Sequence, residues 1–273
     1  MELLLNGVIY LFIFALGAAI GSFLNVIIYR IPAGVSILHP PSRCPQCHHR
    51  LGWGENIPVL GWLKLRGKCK HCQSPIAVRY PLVEAATGLL FMLVFWQFGY
   101  TLETLGYWAL VSWLVALSLI DWDTYTLPNP LTQSGLVVGL GFMLVWGWQE
   151  TGMVSGAILQ LMRGVVGAVL GVWLLDSIAF IGAIALGKTA MGAGDAKLAA
   201  LLGAWLGWKL LLLGGFLGCV VGALVGGGAI ALNLVERASP IPFGPFLALG
   251  AILALFWGDF ILSTYQSLFF PTI

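Results

Sequence analysis

Apolar runs recur along most of this chain, separated by short polar intervals. Runs of about 20 apolar residues read as membrane spans. Eight such runs fall at roughly residues 4–29, 82–99, 104–120, 131–148, 164–186, 195–208, 210–232 and 244–264. The sixth is short, which suits a tilted or partly re-entrant segment. Lipid offers backbone groups no hydrogen-bond partner, so the expected fold is an all-α polytopic membrane protein with about eight transmembrane helices. The unbroken apolar runs exclude the weaker alternating pattern of a β-barrel. The first run lacks a basic start and a small-residue end, and its charge, Arg30, follows it. It therefore reads as a retained span, not a signal peptide.

Composition supports this pattern: 59% of the 273 residues are hydrophobic, 9% are charged, and the mean hydropathy of +0.95 is not that of a soluble globule. Charge then sets orientation. The interval 30–80 holds eight of the 13 Lys and Arg residues (Arg30, Arg43, Arg50, Lys64, Arg66, Lys68, Lys70 and Arg79) against one acid, Glu55. The positive-inside rule places it in the cytoplasm. Counting spans forward puts the loops near 121–130, 187–194 and 233–243 on that side too, with Lys188 and Arg237. Glu103, Glu150, Asp259 and both termini fall on the opposite side. The expected organisation is a first transmembrane helix at 1–29, a cytoplasmic loop at 30–80 and a membrane-embedded bundle at 81–273. The Gly-rich stretch "LGGFLGCVVGALVGGGAIAL" reads as close helix packing, since small residues let membrane helices approach.

The loop carries two C-x-x-C pairs, Cys44/Cys47 and Cys69/Cys72, with 21 residues between them. Four thiolates suit one tetrahedral zinc ion, each pair supplying two ligands. Disulfides are the alternative, and a cytoplasmic position argues against them. Histidines 39, 48, 49 and 71 lie nearby, but a four-sulfur shell needs none of them. A closed shell leaves no position for water, so this zinc is expected to be structural and to supply fold to a loop with little core of its own. The basic character of the loop lacks the aromatic stacking pattern of nucleic-acid binders and points to membrane lipid headgroups or to topology alone. Cys219, alone in an apolar run, reads as a small packing residue.

Acids in or beside membrane segments are costly and are functional candidates by default. Asp121 ends the third span and Asp195 opens the sixth, so both are expected at the cytoplasmic boundary. Two carboxylates at one depth suit a dyad in which one holds a proton while the other activates water. Gly192 and Gly194 beside Asp195 permit unusual backbone angles and close approach of another chain. The alternative makes Asp195 a helix cap and Asp121 an interfacial residue facing water. Asp123 competes with Asp121, being about 200° away on a helix, so that only one of them faces a given partner. Asp176, mid-span, is left to a proton relay or to pairing within the bundle.

Six stretches, in order, carry a resemblance: "GAAIGSFLNVIIYRIP" (17–32), the four-cysteine loop, "RYPLVEAATGLLF" (79–91), "LIDWDTYTLPNPLT" (119–132), "MGAGDAKLAALLGAW" (191–205) and "IPFGPFLALGA" (241–251). Together they resemble the type IV prepilin peptidase family, bacterial inner-membrane aspartic proteases of the GxGD type. The resemblance implies that Asp121 and Asp195 are the catalytic pair. It implies cleavage of prepilin or pseudopilin precursors after a short basic leader, and methylation of the new amino terminus from S-adenosylmethionine in members with the cysteine loop. Gly67 matches a glycine that the family associates with methyl transfer, and Glu84 matches the acid of its "YPLVE" segment. One departure is Asn129, where the family usually has "LPD". Two other readings remain on composition alone: an ion or proton transporter using Asp121, Asp176 and Asp195, and a membrane-anchored zinc-ribbon adaptor.

Overall fold

In the computed structural model, which describes residues 2–52, 54–187, 192–234, 236 and 241–270, the regular structure is helical. Lys188 and Arg237, two of the cations expected on the cytoplasmic side, lie outside the described residues, as does Met191 of the motif around Asp195. The helices are α1 (Glu2–Arg30), a single turn α2 (Leu60–Lys64), α3 (Arg79–Phe98), α4 (Leu102–Thr124), α5 (Asn129–Thr151), α6 (Val154–Leu186), α7 (Ala193–Ala231) and α8 (Gly244–Phe269). Among the described residues, all but α2 are long and apolar enough to cross a membrane, giving seven candidates. The protein is a multi-pass membrane protein. Two compact units partition the chain, residues 1–116 and 117–273, with the boundary inside α4.

The count of seven and the expected eight are reconciled at Gly207. Its φ of 70° and ψ of 173° break the helical path inside α7, a left-handed φ that glycine adopts without steric cost. Before the break, α7 runs antiparallel to α6: a side chain at Gly164 would meet Ala204, and one at Gly171 would meet Ala199. After it, α7 runs antiparallel to α8, with Gly214 against Ala251 and Gly218 against Phe246 and Leu247. The start of α8 lies at the same end as Asp121, to whose carboxylate Gly244 donates. The segment from Gly214 to Gly226 therefore heads back toward the end from which Asp195 starts. The chain reverses at Gly207, and the expected segments 195–208 and 210–232 are its two limbs.

Small residues make these contacts. The Cα of Gly88 would lie 2.8 Å from a Cβ at Gly17, and that of Glu84 2.8 Å from one at Gly21, seating α1 on α3. In the second unit, Gly167 and Gly203 face one another across α6 and α7. Membrane helices gain little from hydrophobic association, so backbone approach and its dispersion contacts carry the packing. Gly214, Gly218 and Gly222 of the Gly-rich stretch do this work, whereas Gly215, Gly227 and Gly228 have nothing within 4 Å. Cys219 is exposed, contrary to its reading as a packing residue, because its neighbour Gly218 takes the face toward α8. Trp205 is 1% exposed; its indole N–H donates to the Gly135 carbonyl at 2.8 Å, and its ring occupies the space left by Gly139. Among the described residues, no buried side-chain nitrogen or oxygen is without a hydrogen-bond partner.

Gly203→Val should force α6 and α7 apart at a backbone contact, costing about 1–3 kcal/mol or more of stability. Gly215→Ala, in open space, should be neutral or slightly stabilising, since alanine is the better helix former. Thermal unfolding of the two variants in one detergent, compared with the parent, measures the difference.

Candidate functional site

Asp121 lies in the last turn of α4. Leu110, Leu114 and Leu117, each at most 1% exposed, lead to it at helical spacing, and Asp121 continues that buried stripe at 5% exposure. Asp123, two residues on, is exposed. The helix thus buries one of the two acids and exposes the other. Oδ2 of Asp121 accepts the Gly244 N–H at 2.9 Å, from the first residue of α8. A Cβ on Gly244 would stand 2.7 Å from that oxygen, so the position tolerates no side chain without moving the carboxylate.

Asp195 lies in the first turn of α7 and is 8% exposed. Its own N–H donates to the Gly192 carbonyl at 3.2 Å, and the Gly192 N–H is directed at its carboxylate. Asp121 lies within electrostatic range of it. The structure thus brings two buried carboxylates together, from helix ends 74 positions apart in sequence. Unless one carries a proton, such a pair repels itself.

The glycines before Asp195 act differently from the expectation. Gly192 has φ −81° and ψ 147°, open to any residue, and Gly194 is helical; neither adopts a left-handed angle. Gly194 serves close approach instead: a Cβ there would lie 3.1 Å from the side chain of the buried Leu127. Asn129 accepts from Lys197 Nζ at 2.7 Å, tying the start of α5 to the second turn of α7. Asp176 is exposed, on a face of α6 with Trp173 and Phe180. A helix of this length puts every third or fourth residue outward, and Asp176 falls on that outward face.

The sequence alone does not single out Gly244 within "IPFGPFLALGA". Glycine followed by Pro245 is the local signal for a helix start there, since proline lacks only an N–H that no helical carbonyl would accept.

In the first unit the four cysteines converge. Their sulfurs all lie within 4.8 Å of one another, with Cys44–Cys72 at 3.7 Å and Cys47–Cys69 at 3.9 Å. A tetrahedral zinc with Zn–S of about 2.3 Å separates its ligand sulfurs by about 3.8 Å, so the four residues fit the ion. The two halves are built alike. His48 N–H donates to the Cys44 carbonyl and Gln73 N–H to that of Cys69, each at 3.0 Å, while Cys44 and Cys69 donate to His49 and Ser74 at 2.9 Å. Isolated bridges, Arg43 with Arg50 and Lys68 with Pro75, close each half. The Cys44 thiol is held down to about 6, first by the Cys47 and Gln46 backbone N–H groups and then by the Ser74 hydroxyl. A thiolate favoured in this way is the form that binds metal.

Gly67 and Glu84 both shape this loop. Gly67 has φ +70°, and a Cβ on it would sit 2.7 Å from the Trp62 ring. The Trp62 indole donates to the Ile76 carbonyl at 3.1 Å, while Ile76 N–H donates to Gly67 at 2.7 Å. Glu84, buried on α3, accepts the Val59 N–H at 2.6 Å, and Val59 itself holds a φ of 60° at the start of α2. At the other end of the loop, Arg30 donates to the carbonyls of Ser36 at 2.9 Å and Pro40 at 2.6 Å.

The comparisons with known proteins agree with this division. The family description "Bacterial Peptidase A24 N-terminal domain" matches residues 15–98, and "Type IV leader peptidase family" matches residues 108–227. A Stutzerimonas stutzeri protein named prepilin leader peptidase/N-methyltransferase is 39% identical over 278 residues, covering 92% of this chain and 91% of its own. A protein of the same name from Aeromonas hydrophila is 40% identical, covering 94% and 93%. One from Myxococcus xanthus is 42% identical over 84% of this chain and 65% of its own. No solved structure gives a significant match. With both halves matched in order and relatives this similar over nearly the whole length, the chain belongs to the type IV leader peptidase family.

Proposed function

We propose that this protein cleaves the short basic leader of type IV prepilin or pseudopilin precursors at the cytoplasmic face of a bacterial inner membrane, and then N-methylates the exposed amino terminus. The observation that carries the peptidase reading is the pair of buried carboxylates, Asp121 and Asp195, at helix ends on one side of the bundle. The names of the similar proteins support both activities.

In the cleavage step one carboxylate of the pair takes a proton from water as the water attacks the scissile carbonyl, and the other protonates the leaving amine. Asp121 is oriented by Gly244 and Asp195 by the Gly192 backbone. A precursor's apolar helix enters from the bilayer and leaves its basic leader in the cytoplasm, which brings the bond to the depth of the two acids. The positive charge of the 30–80 interval supports a cytoplasmic position for that loop.

S-adenosylmethionine is the proposed methyl donor. Zinc held by Cys44, Cys47, Cys69 and Cys72 supplies fold: a closed four-thiolate shell has no open position for substrate. Gly67 and Glu84 take part in methylation by shaping the same loop. The residues assigned to cleavage belong to the 117–273 unit, and those assigned to methylation belong to the 1–116 unit.

Replacing either acid of the pair, as Asp121→Asn or Asp195→Asn, should lower cleavage of a synthetic prepilin peptide by about 10²–10⁴-fold while the protein stays folded, because an amide does no acid–base work. Asp123→Asn should retain substantial activity. The reading fails if Asp123→Asn is inactive and Asp121→Asn active by mass spectrometry of the products.

Gly244→Ala tests the orientation of Asp121. A displacement of about 1 Å at a reacting group costs on the order of 10²-fold in rate. The loss should appear in kcat, with the peptide's KM little changed.

Cys69→Ser should release the single structural zinc and reduce methylation more than cleavage, whereas Asp195→Asn should still permit methylation of a pre-cleaved peptide. Equal loss of both activities in both variants would mean one shared site. Rates on precursor and on pre-cleaved peptide, with metal content by elemental analysis, decide between them.

A further inference from the structure

Beside the four sulfurs lies a second group of donors that the proposed function does not use. The ligand atoms of His49, Glu55 and His71 all lie within 4.8 Å of one another. His49 follows Cys47 by two residues and His71 immediately precedes Cys72, so each half of the cysteine site contributes one imidazole. Their rings lie 3.4 Å apart between centroids, at an interplanar angle of 34°. In the repeated architecture of the two halves, His49 occupies the place that Ser74 takes in the other. The Ser74 hydroxyl turns to the sulfurs of Cys72 and Cys44, whereas the His49 ring meets His71.

Glu55 is held for the same position. Its Oε2 accepts the Gly52 N–H at 3.0 Å, and its own N–H donates to the Gly52 carbonyl at 3.0 Å. Its side chain is 12% exposed, while both imidazoles reach solvent. The other oxygen, Oε1, lies 3.7 Å from Lys70 Nζ. A cation already visits this carboxylate, held loosely by a largely exposed lysine.

We propose that His49, Glu55 and His71 form a second metal site, for a divalent borderline transition ion of the zinc or cobalt class. Two neutral imidazoles and one carboxylate are the ligand set such ions prefer, at about 2.0–2.2 Å. Adjacent donors around such an ion stand about 3–3.5 Å apart, and rotation of the two exposed imidazoles supplies that closure. Three protein ligands leave a position for water, so this ion exchanges with solvent while the four-thiolate ion does not. The site rests on the four-cysteine reading in one respect: the first ion draws the two halves together and so assembles the second site.

Cobalt titration of the full-length, zinc-loaded protein in detergent tests this. Wild-type protein should bind about one Co²⁺ beyond the thiolate-held zinc, with ligand-field absorption and no sulfur-to-cobalt charge-transfer band. His49→Ala and His71→Ala should each weaken that binding at least tenfold, and Glu55→Gln should weaken it less, with the thiolate zinc retained in all three. Lys70→Ala, which removes the competing cation, should tighten it several-fold. Absence of a second equivalent in wild-type protein would overturn the site, as would binding that survives combined replacement of both histidines. Loss of the thiolate zinc in the histidine variants would also overturn it, by making them part of the first site. A separate control reconstitutes metal-free protein with Co²⁺: failure of the thiolate charge-transfer band would refute the four-cysteine reading itself.

Discussion

The hydrogen bond from the Gly244 N–H to Asp121 joins helix ends 123 positions apart, and much of the second unit is organised around it. A helix interior cannot offer such a bond, because each N–H there is already given to the carbonyl one turn back. The first turn of a helix is different: its N–H groups have no intrahelical acceptor. In lipid those orphan donors need partners, and a buried carboxylate needs donors. Asp121, at the end of α4 beside the start of α8, and Asp195, at the start of α7, satisfy both needs together. The acids are therefore buried where backbone donors at helix ends can hold them.

That constraint also fixes the direction of α7. Since α8 starts beside Asp121 and runs antiparallel to the second limb of α7, the chain must have turned back after leaving Asp195. Gly207 makes that turn. In the sequence the break appeared only as a short sixth apolar run ending near "LGW", and the two limbs were legible from length alone. Which glycines would pack was not. Gly214 and Gly215 are neighbours in a uniformly apolar run; one faces α8 within backbone contact and the other faces open space. Without a polar face to set phase, hydrophobic periodicity carries no information on which side of such a helix is inside. The same ambiguity misplaced Cys219 and left Asp176 unassigned. Asp121 and Asp123 could be told apart only through the resemblance, and it is the structure that places Asp121 on the buried stripe of Leu110, Leu114 and Leu117.

The loop between α1 and α3 answers to another constraint. It has too little apolar surface for a core, and its fold is set by convergent sulfurs and by backbone hydrogen bonds. The spacing of the cysteines made the four-sulfur cluster legible, since C-x-x-C pairs present two ligands from one tight turn. The contact between Glu84 and the Val59 backbone was not legible, because nothing in "NIPVLGW" marks a residue that will adopt φ 60°. A β-branched side chain in the left-handed region is strained by about 1–3 kcal/mol and persists only where its surroundings hold it. Here the holding group is a carboxylate on a transmembrane helix, accepting the Val59 N–H at 2.6 Å. Glu84 is itself fixed from behind by the backbone approach of Gly21. The path from α1 through Glu84 to Val59 thus sets where the single turn of α2 begins, and Trp62 on that turn caps the second cysteine pair through Ile76 and Gly67. The glutamate that matches the acid of the family's "YPLVE" segment is therefore the point at which α3 fixes the shape of the four-cysteine loop, and Gly67 is the point at which that shape closes.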